Sequence, residues 1–121
     1  MAEGLSALTY QVLLALADGD RHGYGIIKEI EARSGEGAAP STGALYLALQ
    51  RMERSGFVEE SPSRPAPAED DGRRRYYRLT EEGRRTAEGE TRRLAALVGV
   101  AVEKQLIPAT ALPLGRSGHE R

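Results

Sequence analysis

The chain has 121 residues, 40% of them hydrophobic and 29% charged, which is enough for one small core and ordinary for a soluble fold. Its formal net charge is −1, so no global basic signal is present and any nucleic-acid surface has to be local. With no cysteine, disulfides and thiolate metal sites are excluded, and His22 and His119 lie too far apart in sequence to argue for a metal. One Phe and no Trp leave an aliphatic core helped by tyrosines. The N-terminus shows no basic region followed by an apolar run, and the location expected is cytoplasmic. The longest apolar run, Leu94 to Val102, is far short of the roughly 20 residues that span a membrane.

Ser6 can cap a first helix running to about Ala17, with Leu5, Leu8, Val12, Leu13 and Leu16 in a helical stripe that Tyr10 and Leu14 broaden. Asp18-Gly19-Asp20 stops it. The turn Arg21-His22-Gly23 leads into a second helix, about Tyr24 to Arg33, on which Tyr24, Ile27 and Ile30 face one way with Ile26 beside them. A breaker-rich loop, Ser34 to Pro40, follows.

The third helix has clear ends. Ser41 can accept from amides of the first turn, and Gly56 stands where a helix enters the left-handed conformation and stops. Leu45, Ala48, Leu49 and Met52 form a core-like face. At about 100° per residue, Gly43, Leu47, Gln50 and Arg54 point the other way, with Tyr46 and Arg51 on the flanks.

After Gly56 the pattern changes. Phe57 to Ser61 has the bulky residues that suit a strand. The segment Pro62 to Gly72 contains three prolines and reads as a loop. Arg73 to Leu79 reads as a second strand, with Arg75, Tyr77 and Leu79 on one face and one tyrosine packing inward. The two strands form a hairpin. Thr80 can cap a last helix reaching about Ile107, with Glu81 and Glu82 at its positive end. Ala87, Thr91, Leu94, Val98, Ala101 and Gln105 make a weak heptad seam flanked by Ala95, Leu97, Val102 and Leu106. The expected fold is mainly α with a β-hairpin, a winged helix-turn-helix plus a long C-terminal helix. Residues 1–79 would form the winged helix-turn-helix, expected to be a DNA-binding domain, 80–107 the long helix, expected to dimerise, and 108–121 a disordered tail.

Three stretches resemble the PadR family of bacterial transcriptional regulators, in that family's order. They are Leu13-Leu14-Ala15-Leu16-Ala17 with Arg21 to Ile30; Ser41 to Tyr46 with Ala48-Leu49 and Glu53 to Val58; and Arg74 to Gly83. The C-terminal part resembles the small subclass that carries a single dimerising helix. Two positions depart from the family pattern: Leu47 stands where Pro is usual, and Gly25 where a larger residue, often Glu, is usual. The resemblance implies a regulator, in the leading reading a repressor, that binds a pseudo-palindromic operator in double-stranded DNA as a homodimer. Helix 41–55 would do the reading and the 62–75 wing would support it.

A helix fits the major groove, so Thr42, Gly43, Tyr46, Leu47, Gln50 and Arg51 are the candidates for base contact. Thr42, Tyr46 and the amides near Ser41 are also placed for phosphates. Tyr46 could instead pack on the second helix. The run Arg73-Arg74-Arg75 is the strongest local basic cluster and suits a backbone clamp, although Glu69, Asp70 and Asp71 partly offset it. The resemblance adds His22, Tyr24 and Lys28 near phosphate. The other reading of Tyr24 is core.

For dimerisation, Leu94, Val98, Ala101, Val102 and Leu106 are expected to meet Leu8 and Val12 on the first helix of a second chain. Family members often respond to phenolic compounds or drugs, so a small aromatic ligand is a further expected partner. No cofactor and no membrane are. The competing readings are a winged-helix protein-interaction module and a small-molecule-sensing regulator without strong DNA contacts. An enzyme is not expected. There is no cysteine nucleophile, no histidine with an evident carboxylate partner, no phosphate-binding glycine motif and no metal cluster. Glu81 and Glu82 are adjacent and explained by capping.

Overall fold

A computed structural model describes residues 5–35, 39–62 and 75–113. Arg73, Arg74, most of the 62–75 wing and the end of the 108–121 tail lie outside the described residues. The elements run α1 (Ala7–Leu16), β1 (Arg21–His22), α2 (Gly23–Ser34), α3 (Thr42–Arg54), β2 (Val58–Glu60), β3 (Tyr76–Leu79) and α4 (Glu81–Glu103), with a 3-10 turn at Ala109–Ala111. The chain divides into two compact units, Met1–Glu90 and Thr91–Arg121.

Within the first unit, α1, α2 and α3 close around an aliphatic core. Val12, Leu13 and Leu16 come from α1, Ile26 and Ile30 from α2, and Leu45, Leu49 and Met52 from α3. Val58 and Tyr77 extend this core from the sheet, and Phe57 and Leu79 pack at its edge. Each fully buried aliphatic side chain contributes about 1.5–3 kcal/mol, which is what holds helices this short in place.

The sheet has three antiparallel strands in the order β1-β3-β2, one more than the expected hairpin. β1 is only two residues long and pairs Arg21 with Tyr77 and His22 with Tyr76. A two-residue strand carries no alternation, so only the tertiary pairing reveals it. β2 pairs Val58 with Leu79, Glu59 with Arg78 and Glu60 with Tyr77. Tyr77 is the tyrosine that turns inward.

The second helix corrects an expectation. Its buried residues are Gly23, Ile26 and Ile30, while Tyr24 is 57% exposed. A 3.6-residue period anchored on Ile26 and Ile30 runs back to Gly23 and not to Tyr24. The last helix is shorter than expected, ending at Glu103 and not near Ile107. Gln105 takes a left-handed backbone, with φ of 67°. Its amide bonds Val102 O at 2.9 Å and the Leu106 amide bonds Ala101 O at 2.9 Å, a pattern that closes a helix ahead of Pro108.

One joint ties several elements together. The α3 helix ends with the Gly56 amide on Glu53 O at 3.1 Å and the Phe57 amide on Met52 O at 2.9 Å, with Gly56 at φ 83°. The Thr80 hydroxyl donates to Gly56 O, and the Thr80 amide donates to Phe57 O. The same hydroxyl oxygen accepts from the Gly83 amide at 2.9 Å as the cap of α4. Gly83 is buried and lies so close to Phe57 that a Cβ there would overlap the Phe57 carbonyl.

Candidate nucleic-acid interface

Ser41 starts α3 as expected, its hydroxyl accepting from the Ala44 amide at 3.1 Å. Replacing Ser41 with Ala removes that acceptor and is expected to cost about 1 kcal/mol, read as a thermal midpoint a few degrees lower. An unchanged midpoint would show that water replaces the cap. With Leu45, Ala48, Leu49 and Met52 held inside, the opposite face presents Thr42, Gly43, Leu47, Gln50, Arg51 and Arg54 to solvent. Leu47 is 49% exposed. Among the described residues, neither Arg51 nor Arg54 is paired with a carboxylate, so both charges remain available to an anion.

Tyr46 takes the packing role. Its phenol lies against the backbone of Gly23, so close that a Cβ at Gly23 would stand 2.6 Å from Tyr46 Cζ. The absent side chain at Gly23 thus lets α3 seat on the start of α2. Tyr46 still keeps 37% exposure on the flank of the outward face.

The start of α2 is built around His22. Its Nδ1 accepts from the Gly25 amide at 3.0 Å, so the ring serves as the N-cap and does not merely sit in the turn. That acceptor role requires Nδ1 to be unprotonated. The Tyr24 ring stacks near His22 at a centroid distance of 6.3 Å, and Tyr76 meets His22 edge-on at 5.1 Å. Lys28 Nζ stands 5.7 Å from the Tyr24 ring centre and 3.1 Å from Glu31 Oε1. The hydrogen bond to Glu31 and its charge hold the Lys28 ammonium above the ordinary lysine range. Arg21, Glu29 and Arg33 form a network that sequence reading passes over. Arg21 donates to Ala15 O at 2.7 Å, and Glu29 bridges Arg21 at 3.3 Å and Arg33 at 2.8 Å. Only the Glu29–Arg33 spacing of four is a visible signal.

At the sheet, Arg75 is exposed beside Tyr77 and Glu60. Its hydrogen bond to Tyr77, with the Glu60 charge, keeps the guanidinium charged above even its usual range. Burial pushes the Tyr77 hydroxyl up. Arg78 is bonded to its cross-strand neighbour Glu59 at 2.8 Å, and that carboxylate offsets its charge.

The residues expected at a dimer surface fall in different places. Val12 is 0% exposed in this chain's own core, so it has no surface to offer a partner; the α1 stripe runs too deep for that role. Leu8 is half-buried at the core's edge. Leu94, Val98, Ala101 and Val102 are half-buried, and Leu106, just past the end of α4, is 75% exposed. Among the described residues no group of His, Cys, Asp and Glu could hold a metal, and no helix is long and apolar enough to cross a membrane.

Three helices, a small antiparallel sheet and a long following helix make this a winged helix-turn-helix of the DNA-binding class. The chain belongs to the PadR-like family of transcriptional regulators, whose family model matches residues 12–89. That family consists of regulators, not enzymes. A PadR family transcription regulator of known structure from Clostridium difficile is 28% identical, with a TM-score of 0.67; the match covers 81% of this chain and 97% of that one. The structure of Bacillus subtilis PadR in complex with operator DNA shares the fold, with a TM-score of 0.58 at 20% identity over 69% of this chain and 46% of that one. An uncharacterised 37.1 kDa protein of a Streptomyces fradiae transposon is 42% identical over 92 residues, 76% of this chain. This chain spans only 24% of that relative's length.

Proposed function

We propose that the chain represses transcription as a homodimer, by seating the outward face of α3 in the major groove of an operator and bracing it with the Arg73–Arg75 wing. The observation that carries this reading is the outward face itself. Thr42, Gln50, Arg51 and Arg54 stand exposed on a rigidly held helix, and the two arginines have no carboxylate partner among the described residues. In the relative from Bacillus subtilis the same fold is bound to operator DNA. His22, Tyr24 and Lys28 flank the helix from the start of α2 and would meet the phosphates, as would Ser41, Thr42 and Tyr46. Gln50 has the donor and acceptor pair that matches adenine N7 and N6.

Dimerisation would run through α4 and the turn after it, where Leu94, Val98, Ala101, Val102 and Leu106, with Leu97 and Val100 exposed beside them, supply apolar surface. Leu8 would contribute from α1. Two-fold pairing presents two recognition helices to half-sites about one helical turn apart. Such a protein would work in the cytoplasm, where the DNA is.

Titration against a random duplex at two salt concentrations tests the reading. Binding is expected at low salt and should fall steeply as salt rises, since neutralised phosphates release counterions. No binding at low salt would sink it. Sedimentation at micromolar concentration should give twice the chain mass, and a monomer at every concentration would remove the dimer. Replacing Gln50 with Ala is expected to change preference among selected duplexes by about tenfold at one position while leaving non-specific affinity nearly intact. Equal weakening on every sequence would make Gln50 a positioning residue.

A further inference from the structure

We infer that Leu47 selects a thymine in each half-site by packing on its C5 methyl group. This inference rests on the operator-binding reading above. Leu47 sits in the middle of the outward face of α3 and is 49% exposed. Its neighbours Leu45, Ala48 and Leu49 hold the helix from the core side, and Leu47 is not among the residues that form or pack against the core.

The chemistry of the groove leaves one partner. Leucine carries no donor and no acceptor, so it cannot read N7, O6, O4 or an exocyclic amine. Pressed against those edges it would strip their water and return no hydrogen bond. Among base edges in the major groove the one apolar group is the thymine methyl, and covering it removes apolar area from water on both sides.

Access supports the same contact. Helical side chains lean toward the N-terminus, so Leu47 leans over the turn that carries Gly43. Gly43 has no side chain, and a Cβ built there would meet nothing within 4 Å. The floor of the groove can therefore approach the leucine without obstruction from the preceding turn. Gln50 stands three residues on, about 5–6 Å away between Cβ atoms. At about 3.4 Å per step along a strand, that places the thymine one or two base steps from the adenine Gln50 would read.

The test uses duplexes selected from a random library by the wild-type protein. Each thymine is replaced in turn by deoxyuridine, which removes the methyl group and leaves the hydrogen-bonding edge intact. The expected result is one thymine per half-site whose replacement weakens binding about fourfold, the value of one buried methyl group. Leu47→Ala and Leu47→Gln should bind the thymine and deoxyuridine duplexes equally, with an unchanged thermal midpoint because the residue faces outward. If no replacement affects the wild-type protein, or if the thymine preference survives in both variants, the inference is overturned while DNA binding stands. If no duplex is bound with salt-dependent affinity, both readings fall together.

Discussion

Gly83→Ala is expected to destabilise the fold by about 3 kcal/mol or more, a large share of the roughly 5–15 kcal/mol that holds a domain of this size. The first turn of α4 rests on the Phe57 backbone, and an added Cβ would overlap the Phe57 carbonyl, with the carbonyl carbon 2.9 Å away. That carbonyl cannot swing aside, because it already accepts from the Thr80 amide at 3.1 Å. Relief would require moving α4 off the sheet and breaking the Thr80 cap. The measurement is urea unfolding, with a lower midpoint and an unchanged slope. Gly89→Ala is the control. Nothing lies within 4 Å of a Cβ at Gly89, so the alanine should stabilise α4 by up to about 1 kcal/mol. If both variants shifted stability alike, helix propensity would explain Gly83 and the close approach would not.

The largest effect on binding is expected from replacing Arg73, Arg74 and Arg75 with Ala together. These arginines would neutralise phosphate without reading bases, so affinity should fall on all sequences alike. The dependence of log affinity on log salt should flatten by about 0.9 for every phosphate left without its arginine, summed over both copies. Arg75 carries its charge at any working pH and stays exposed, as a phosphate partner must. Arg78 gives the comparison. It is bonded to Glu59, and Arg78→Ala should leave the slope nearly unchanged. A triple variant with an unaltered slope would remove the wing from the mechanism.

Where the residue pattern is strong, it locates the elements. Ser6, Ser41 and Thr80 all cap helices, because a hydroxyl before an apolar period has one obvious use. The inner and outer faces of α3 follow directly from the 3.6 period. What stays hidden depends on distance through space. Gly23 reads as a turn residue until Tyr46 is seen lying on it. Gly83, in the first turn of a helix, carries no sequence mark of the Phe57 backbone that lies against it. Size and apolar neighbours suggest Tyr24 for the core, yet it is exposed and stacked near His22, a position that periodicity anchored on the isoleucines indicates. Val12 shows the reverse error: a leucine-rich stripe wide enough to suggest two surfaces is used up by one core.

Thr80 carries a consequence for how a signal could travel. Through its hydroxyl and amide it fastens the end of α3, the start of β2, the end of β3 and the first turn of α4 at a single point. In mechanical terms this is a shared pivot. A displacement at the root of α4 would load the end of α3 and the roots of β2 and β3 together, because one residue bonds to each.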